Sequence, residues 1–427
     1  MLNPPMRALK SQYFLSYAVM GCVVPFISLF FRDIGLGNTL IGYIIALSSL
    51  AMVISPVIVT FLADSRLDPR RIMAVALTLC AAALLAMLLT RSFAWVFFTY
   101  GLYTLLFVSV APLQDGVNFS IQQRRREAGQ PPVDFHHIRV WGSIGYIVPS
   151  FLLFWLFRHG FPIESIIPAG AAVALLATLS SFVLPNPKPV EPQASAPQPP
   201  GAASMPTLAA AKILLGRPLL VFCTAIFLIQ MAMASYYTFY PLYLTERVGI
   251  DKQWVGLIST IGVVVEIGFM LCFGRIIRAL GLRNLMLIGV ACMVLRLVLL
   301  AAFPTAPVAI GQQLLHGIHV LVLLVAPPVF LNQHADDRYR HSLQGLFAMI
   351  MVGVARSIGS LIAGPIAHWS LTGVYWYAAG VCAAALLLLF AAFHEAQAPQ
   401  PAPAAREQQA GIADAAEPPA VAQPASS

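Results

Sequence analysis

Two stretches of the sequence repeat each other and decide the architecture. Residues 29–43 read LFFRDIGLGNTLIGY, and residues 243–257 read YLTERVGIDKQWVGL. Gly35 aligns with Gly249, and Gly42 aligns with Gly256, so both pairs are 214 positions apart. A repeat of half the chain length that begins on the same membrane side in each half is typical of a duplicated, two-lobed membrane protein.

The composition agrees with a membrane location. Of 427 residues, 59% are hydrophobic and 10% are charged, whereas soluble domains carry charge on about a quarter of their residues. A helix needs about 20 apolar residues to cross the hydrocarbon layer, and the sequence holds twelve such blocks in two groups of six. We therefore predict an all-α integral membrane protein with twelve transmembrane helices in two pseudo-symmetric six-helix lobes. The predicted spans are Ser11–Phe31, Leu40–Phe61, Ile72–Leu89, Phe93–Val117, Val140–Phe157, Ile163–Leu184, Leu219–Leu244, Trp254–Phe273, Leu285–Phe303, Val308–Leu331, Gly345–His368 and Val374–Phe393.

Two segments rich in Pro, Ala and Ser lie outside the apolar blocks. We expect a first lobe over residues 1–184, a linker over 185–213, a second lobe over 214–393 and a disordered tail over 394–427. Neither the linker nor the tail is long enough for a soluble catalytic domain, because segments below about 40 residues rarely fold unaided. The function is therefore expected to reside in the membrane part.

Basic residues are concentrated on one membrane side. Eighteen Lys and Arg residues flank the spans on the side of the two termini, and five lie on the other side. Because positively charged flanks are retained in the cytoplasm, we predict that both termini and the linker are cytoplasmic, in the inner (plasma) membrane. The net charge of +8 follows from this asymmetry, so we infer no nucleic-acid partner from it.

The sequence offers little for catalysis or metal binding. Its six cysteines are dispersed through apolar spans without the paired spacing of metal sites or disulfide scaffolds. No HExxH, GxSxG or CxxC pattern occurs. We therefore expect neither a metal nor a cofactor, and we favour a transporter over an integral membrane enzyme or a receptor.

The loop after the second predicted span resembles a motif of the major facilitator superfamily. It runs from Asp64 to Arg71 as DSRLDPRR. The superfamily places glycine where Thr60 and Asp68 or Pro69 stand here, so the match is partial. The resemblance implies a gating loop that includes Asp64, Arg70 and Arg71.

Other motifs resemble one branch of that superfamily, the phenylpropionate permease-like and lactose permease-like proton symporters. They are Asp115-Gly116, Asp134-Phe135, the run RVWGS from Arg139 to Ser143, and Leu315-His316. The similarity extends from about Tyr13 to Phe393. It implies secondary active transport by alternating access between two lobes.

Six ionisable residues fall inside the predicted spans, where a charge is costly and usually faces a cavity or a partner. They are Asp115, Glu266, Arg296, His316, His319 and Arg356. A carboxylate whose distance to an arginine changes during transport can take up and release a proton, and imidazoles titrate near neutrality. The alternative is a static polar cluster that holds helices together.

Four of these residues resemble the proton-coupling set of lactose permease-like symporters. That set has a Glu on the eighth helix, an Arg on the ninth and a His on the tenth, which correspond here to Glu266, Arg296 and His316. The sugar permeases carry a carboxylate where His319 stands, so the resemblance implies proton coupling without implying sugar specificity.

Candidate substrate contacts are Asp115, Arg139, Tyr236 and Arg356. Asp115 and Arg139 resemble the substrate-positioning acid and base of sugar permeases, but both were expected near helix ends, where a gate or a fixed salt bridge is an alternative. Arg356 suits an anion or a pairing with a neighbouring helix. Tyr236, with Tyr237, could stack on a ring-shaped substrate, although interfacial aromatic belts also cluster tyrosines.

We therefore expect a proton-coupled importer of a small organic solute. Aromatic or organic acids, sugars and nucleosides remain open, and the arginines favour an organic acid. A drug or metabolite efflux antiporter shares the topology and is the alternative. The expected partners are the substrate, protons and membrane lipids, and the protein is expected to be a monomer.

Overall fold

A computed structural model describes residues 4–64, 68–130, 133, 135–185, 211–334 and 340–393. Within these ranges the chain is helical and contains no strand. Residues 186–210 of the predicted linker, the predicted tail, Ser65 to Leu67 and Asp134 lie outside the described residues.

The first half contains six membrane helices, and two of them are built from two segments. They are α1 (Pro4–Val23 and Ile27–Asp33), α2 (Asn38–Asp64), α3 (Pro69–Ala86), α4 (Phe93–Val108 and Val110–Glu127), α5 (Phe135–Arg158) and α6 (Ile166–Val183, after a 3-10 turn at Ile163–Ser165).

The second half also contains six membrane helices, and several include non-α turns. Helix α7 (Arg217–Leu242) continues as a π turn (Tyr243–Arg247), and α8 and α9 share the stretch Lys252–Ala302. The remaining segments are α10 (Ala306–Gly311, 3-10 Gln312–Leu315, His316–Val320, π Leu321–Val325 and Ala326–His334), α11 (Arg340–Phe347, π Ala348–Val354 and Ala355–Trp369) and α12 (Leu371–Ala392).

The stretch Lys252–Ala302 is two helices because the backbone breaks at Gly281. Its φ of 72° and ψ of 166° are not helical, and a positive φ favours glycine. Eleven segments of the described chain are long and apolar enough to cross a membrane, and this one is 51 residues long, enough for two crossings. The prediction of twelve transmembrane helices is confirmed, whereas the domain boundaries stay predictions.

Helix α4 is longer than its hydropathy predicts. The predicted span ends at Val117, but the helix continues to Glu127. The last ten residues are mostly polar, and their buried members, including Asn118 and Gln122, face other helices. Asp115 therefore lies well inside a helix, about 18 Å before its end at a rise of about 1.5 Å per residue, and not near the end as the sequence suggests.

The sequence repeat corresponds to repeated structure. Gly35 and Gly249 both have positive φ, 93° and 80°, and each closes the turn after the first helix of its half. Gly145 in α5 and Gly359 in α11 are also 214 positions apart. A Cβ atom on either would collide with a backbone carbonyl oxygen of the first helix of its half, that of Phe14 or of Met231. The first and fifth helices of each lobe therefore pack backbone against backbone.

The lobes contact each other near the membrane side where the turns at Gly35 and Gly249 lie, here called the opposite side. The other side, with Arg70, Arg71 and Arg283, is called the basic side. On the opposite side Ser28 Oγ donates to the carbonyl of Thr238 over 2.6 Å.

Helices α2 and α11 form the longest of these contacts. Asn38 Nδ2 donates to the carbonyl of Ala367 over 2.6 Å. A Cβ on Gly42 would lie 2.8 Å from Gly364 Cα. In the symmetry-related contact between α8 and α5, a Cβ on Gly256 would lie 3.0 Å from Ser150 Oγ. Small residues at repeat-related positions thus bring the two lobes together.

Candidate functional site

Three of the predicted proton-coupling residues form a chain of side chains in the second lobe. Arg296 Nη1 lies 3.2 Å from His316 Nδ1, and His316 Nε2 lies 4.0 Å from Glu266 Oε2. Among the described residues, no hydrogen bond or ion pair joins Arg296 directly to Glu266. The imidazole therefore stands between the cation and the carboxylate.

The chain runs from a buried end to an accessible end. Arg296 is fully buried, with 0% exposure, whereas the side chain of Glu266 is 23% exposed. The carboxylate thus reaches the surface of the protein and the guanidinium does not. A group that exchanges protons with its surroundings needs such partial exposure.

Two glycines allow α8 and α10 to approach closely enough for this contact. A Cβ on Gly262 in α8 would lie 2.8 Å from Gln313 Oε1 and 3.1 Å from His316 Cγ. A Cβ on Gly317 in α10 would lie 2.8 Å from the carbonyl of Val265. Because Glu266 is one helical turn after Gly262, the close packing places it beside His316.

The backbone of the second lobe is irregular around the ionisable residues. His316 and His319 lie in a short α segment between the 3-10 turn Gln312–Leu315 and the π turn Leu321–Val325. Arg356 is the second residue after the π turn Ala348–Val354. Such interruptions are frequent at functional sites.

The fourth predicted proton-coupling residue and one predicted substrate contact share a second cluster. His319 lies with its ring centroid 5.0 Å from that of His316 and its nitrogens 3.4 Å from the Tyr237 hydroxyl. Arg356 is near enough for its charge to act on His319 and Tyr237. In the described part of the chain its guanidinium makes no hydrogen bond or ion pair.

Tyr236 contacts Arg296, and its ring centroid lies 5.0 Å from that of Tyr237. It is 1% exposed, its hydroxyl accepts a hydrogen bond from Arg296 Nη2 over 2.8 Å, and its ring lies 4.5 Å from the guanidinium carbon. The ring thus packs against the arginine in this conformation, and its contact with a substrate stays a prediction.

The first lobe contributes a second set of polar side chains. The Tyr13 hydroxyl donates a hydrogen bond to Asp115 Oδ1, and the Arg139 guanidinium carbon lies 4.2 Å from the centroid of the Tyr17 ring. Asp115 and Arg139 are each partly buried, and among the described contacts no salt bridge joins them. In this conformation Asp115 and Arg139 therefore do not form the fixed salt bridge that was one alternative.

Gly142 makes room for the stacking of Arg139 on Tyr17. A Cβ at this position would lie 2.8 Å from Tyr17 Cδ2 and 2.9 Å from Arg139 Nη1. The glycine of the RVWGS run thus leaves space for Arg139, one turn earlier in α5, and for Tyr17 of α1. The function of this glycine was not apparent from the sequence.

The two sets of side chains face each other between the lobes. Arg139 and Tyr146, both on α5, lie near enough to Glu266 on α8 for electrostatic interaction. Acidic, basic and phenolic groups from both lobes therefore converge on one region.

The predicted gating loop anchors the start of α3. Asp68 caps the helix by accepting from the backbone N–H of Arg70 over 3.0 Å, and Arg70 Nη2 forms a 2.6 Å salt bridge to Asp68. Arg70 Nη1 also donates to the carbonyl of Leu184 at the end of α6. The Arg70 guanidinium lowers the pKa of Asp68. Arg71 is exposed, and the side chain of Asp64 lies outside the described structure.

Sequence reasoning missed the amides that surround Arg296. Gln312 Oε1 accepts from Arg296 Nε over 2.8 Å, and Gln313 Nε2 donates to the Tyr240 hydroxyl over 3.1 Å. Both glutamines are 3% exposed. Their signal was a pair of adjacent amides inside an apolar span, where an unpartnered polar group is costly.

Comparison with known proteins assigns the family. The profile of the MFS_1 like family matches residues 6–378. The chain belongs to this family. The predicted membership of the major facilitator superfamily is thereby confirmed, and the protein is a multi-pass membrane protein and a secondary transporter.

Curated relatives of this MFS_1 like protein are themselves named as transporters. It is 27% identical over 386 residues to the probable 3-phenylpropionic acid transporter of Escherichia coli K12, covering 88% of this chain and 94% of that protein. It is 26% identical over 344 residues to the putative nucleoside transporter YegT of the same organism, covering 76% and 75%.

A solved structure supports the fold of this MFS_1 like protein. The crystal structure of nucleoside transporter NupG superimposes with a TM-score of 0.80 at 20% identity, over 92% of this chain and 100% of that chain. At that identity the similarity concerns the fold.

Proposed function

We propose that the protein is a proton-coupled importer of a small aromatic carboxylate. It acts as a monomer in the inner membrane with both termini in the cytoplasm, and it works by alternating access between the two lobes. With this orientation the basic side is cytoplasmic, and the inter-lobe contacts close the periplasmic side.

The chain Arg296–His316–Glu266 carries the proposal of proton coupling. The partner of Glu266 is the imidazole of His316 at 4.0 Å, which can be neutral. The buried Arg296 does not contact the carboxylate directly. A carboxylate held by a buried arginine would stay ionised, whereas one beside an imidazole and partly exposed can gain and lose a proton as its surroundings change. His319 and Arg356 extend the same polar region.

Two arginines support an anionic substrate. Arg139 stacks on Tyr17, and within the described structure neither Arg139 nor Arg356 forms a salt bridge. An arginine binds a carboxylate through two parallel hydrogen bonds, and Tyr17 and Tyr237 lie beside these cations with rings that an aromatic substrate can contact. The name of the phenylpropionic acid relative agrees with such a substrate.

A nucleoside is the second candidate. Relatives are named as nucleoside transporters, and the acidic groups Asp115 and Glu266 could accept hydrogen bonds from a ribose. A nucleoside carries no charge, however, and would leave Arg356 without a counter-ion. A substrate with a carboxylate therefore matches the charged side chains of this region better than a nucleoside does.

Transport into proteoliposomes distinguishes the candidates by charge as well as by identity. A carboxylate moving with one proton carries no net charge, whereas a nucleoside moving with one proton carries one positive charge. An imposed gradient of one pH unit, about 1.36 kcal/mol, is expected to accumulate labelled 3-phenylpropionate up to about tenfold. A potassium diffusion potential without a pH gradient is expected to drive none.

The controls use protein-free liposomes and collapse of the gradient with nigericin. Accumulation of labelled uridine under the potential alone would show that the substrate is a nucleoside and not a carboxylate. Movement of the substrate in the direction opposite to proton entry would show that the protein is an efflux antiporter and not an importer.

A further inference from the structure

Arg296 has an environment that contains no carboxylate among the described residues. Its three donor groups contact Gln312 Oε1 at 2.8 Å, His316 Nδ1 at 3.2 Å and the Tyr236 hydroxyl at 2.8 Å. A buried cation held only by neutral groups is unusual, because buried charges are ordinarily paired. The N–H donors of Arg296 instead determine which atom of each neutral partner faces the guanidinium.

The guanidinium determines where the proton of His316 lies. Arginine has donors and no acceptor, so the imidazole nitrogen that faces it must be the unprotonated one. Nδ1 of His316 faces Arg296. In a neutral imidazole the proton is then on Nε2, and this nitrogen faces Glu266 at 4.0 Å. The arginine thus directs an N–H group of the imidazole toward the carboxylate.

Gln312 fixes the orientation of the guanidinium. Its Oε1 accepts from Arg296 Nε, and its Nε2 donates to the Tyr240 hydroxyl over 2.9 Å and to the Ala309 carbonyl over 3.1 Å. A reversed amide would bring an N–H group against the Nε–H of Arg296, so that two donors would face each other without an acceptor. The amide therefore has one favourable orientation, with its oxygen toward the arginine.

We propose that Gln312 is a positioning residue for proton coupling, because it holds Arg296 so that His316 presents its Nε2–H group to Glu266. Gln312 touches neither the imidazole nor the carboxylate and acts through Arg296. The proposal rests on the proposed role of Glu266, but the state of the imidazole can be measured without transport.

The test is nitrogen-15 NMR of the full-length protein in nanodiscs, with labelled histidine and with His316→Gln to assign the signal. The two neutral tautomers have different nitrogen shifts. The parent is expected to show His316 protonated on Nε2 alone. Gln312→Met, which has a similar length and no hydrogen-bonding amide, is expected to show both tautomers.

Two further variants separate positioning from general damage. Gln313→Met removes the adjacent amide, which contacts Tyr240 and not Arg296, and is expected to keep the single tautomer. Gln312→Glu keeps an oxygen that accepts from Arg296 Nε, so this variant is expected to retain the single Nε2–H tautomer of His316 that Gln312→Met loses. If Gln312→Met does not fold, Tyr240→Phe, which removes the main acceptor of Gln312 Nε2, is expected to give a mixture as well.

The outcomes distinguish this inference from the proposed function. A single Nε2–H tautomer in both Gln312→Met and Tyr240→Phe would overturn the role of Gln312. A mixture of tautomers in Gln312→Met, together with a shift in the pH profile of gradient-driven uptake, supports the role in coupling. A mixture with unchanged accumulation would support positioning while overturning the coupling role of the Glu266–His316 contact.

Discussion

Arg32 and Glu246 occupy the same position in the two repeats, 214 residues apart, and form a salt bridge with each other at 2.7 Å. Equivalent residues of the two repeats contact each other when they lie close to the pseudo-two-fold axis that relates the two lobes. Identical charges at such a position would repel, and the repeats avoid this by inverting the order of charge: Arg32-Asp33 in the first and Glu246-Arg247 in the second. Arg32 also donates to Asn38 Oδ1 at the start of α2.

Reversing one charge of this pair is expected to open the opposite side. The two side chains are 34% and 37% exposed, and an exposed pair contributes about 0.2–1 kcal/mol. Arg32→Glu or Glu246→Arg should therefore shift the conformational equilibrium by up to about fivefold toward opening, since about 1.4 kcal/mol corresponds to tenfold.

The measurement is the distance between spin labels at Leu89, in the loop after α3, and Trp369, the last residue of α11, which are both exposed on that side. The exchange Arg32→Glu with Glu246→Arg is expected to restore most of the closed population, apart from the lost contact with Asn38. An unchanged distance distribution in both single variants would show that the salt bridge does not hold the lobes together.

Replacing Glu266 by Gln is expected to abolish gradient-driven accumulation and to preserve substrate exchange. Gln has the size and hydrogen-bonding groups of a protonated Glu but cannot release a proton. Both processes are measured in the same proteoliposomes, first under a pH gradient and then at equilibrium. His316→Gln and His319→Gln are expected to show milder losses. Normal accumulation by Glu266→Gln would assign coupling to another group.

Alanine at Gly145 or Gly359 is expected to destabilise the protein. In either variant the new methyl group would meet the backbone of the first helix in that lobe, and such overpacking costs about 1–3 kcal/mol. Thermal unfolding in detergent measures the loss. Gly380→Ala is the matched control, because a Cβ there meets nothing within 4 Å. It should leave stability unchanged or raise it through helix propensity.

Removing the charge of Arg356 is expected to weaken substrate binding. If this arginine binds the substrate carboxylate, Arg356→Gln loses a charged hydrogen bond of about 1.5–3 kcal/mol, which raises KM roughly 10- to 150-fold. Initial rates of 3-phenylpropionate uptake measure the effect, with Arg356→Lys as the charge-preserving comparison. An unchanged KM in Arg356→Gln would remove this residue from the substrate contacts.

Asp68→Asn is expected to lower stability above about pH 4, the usual range of an Asp pKa. The pKa of Asp68 is lowered by Arg70, so its stabilising contribution is present above the unfolded pKa and is lost as the pH falls through the folded one. Losing the ion pair and part of the cap costs about 1 kcal/mol. Thermal unfolding of both proteins across pH should converge in acid. A constant difference at all pH values would contradict the assignment.

Hydropathy was sufficient for the number of helices but not for their ends. Twelve apolar blocks correspond to twelve crossings, and the repeat at Gly35 and Gly249 corresponds to two turns with positive φ. The end of α4 could not be predicted, because Asn118 to Glu127 are polar and are accommodated by contacts with other helices. Burial by tertiary packing outweighs transfer free energy there, and only three-dimensional contacts reveal it.

The ionisable residues of the site could be listed from the sequence, but their pairing could not. The resemblance to lactose permease-like symporters grouped Arg296 with Glu266, whereas the imidazole of His316 lies between them. The irregular turns of α10 decide which face of the helix each side chain occupies, and their backbone geometry has no clear pattern in the residues. The adjacent amides of Gln312 and Gln313 in an apolar span indicate a buried polar contact, but the sequence does not show that Gln312 is the one that contacts Arg296.

The π turn at Ala348–Val354 has a consequence for the evolutionary history of α11. A π turn accommodates one residue more than the α-helix it interrupts, so an insertion of a single codon is enough to create it. Each residue turns an α-helix by about 100°, and Arg356 is the second residue beyond this turn. A lineage that lost one residue between 348 and 354 would rotate Arg356 away from His319 while leaving the length of the span almost unchanged.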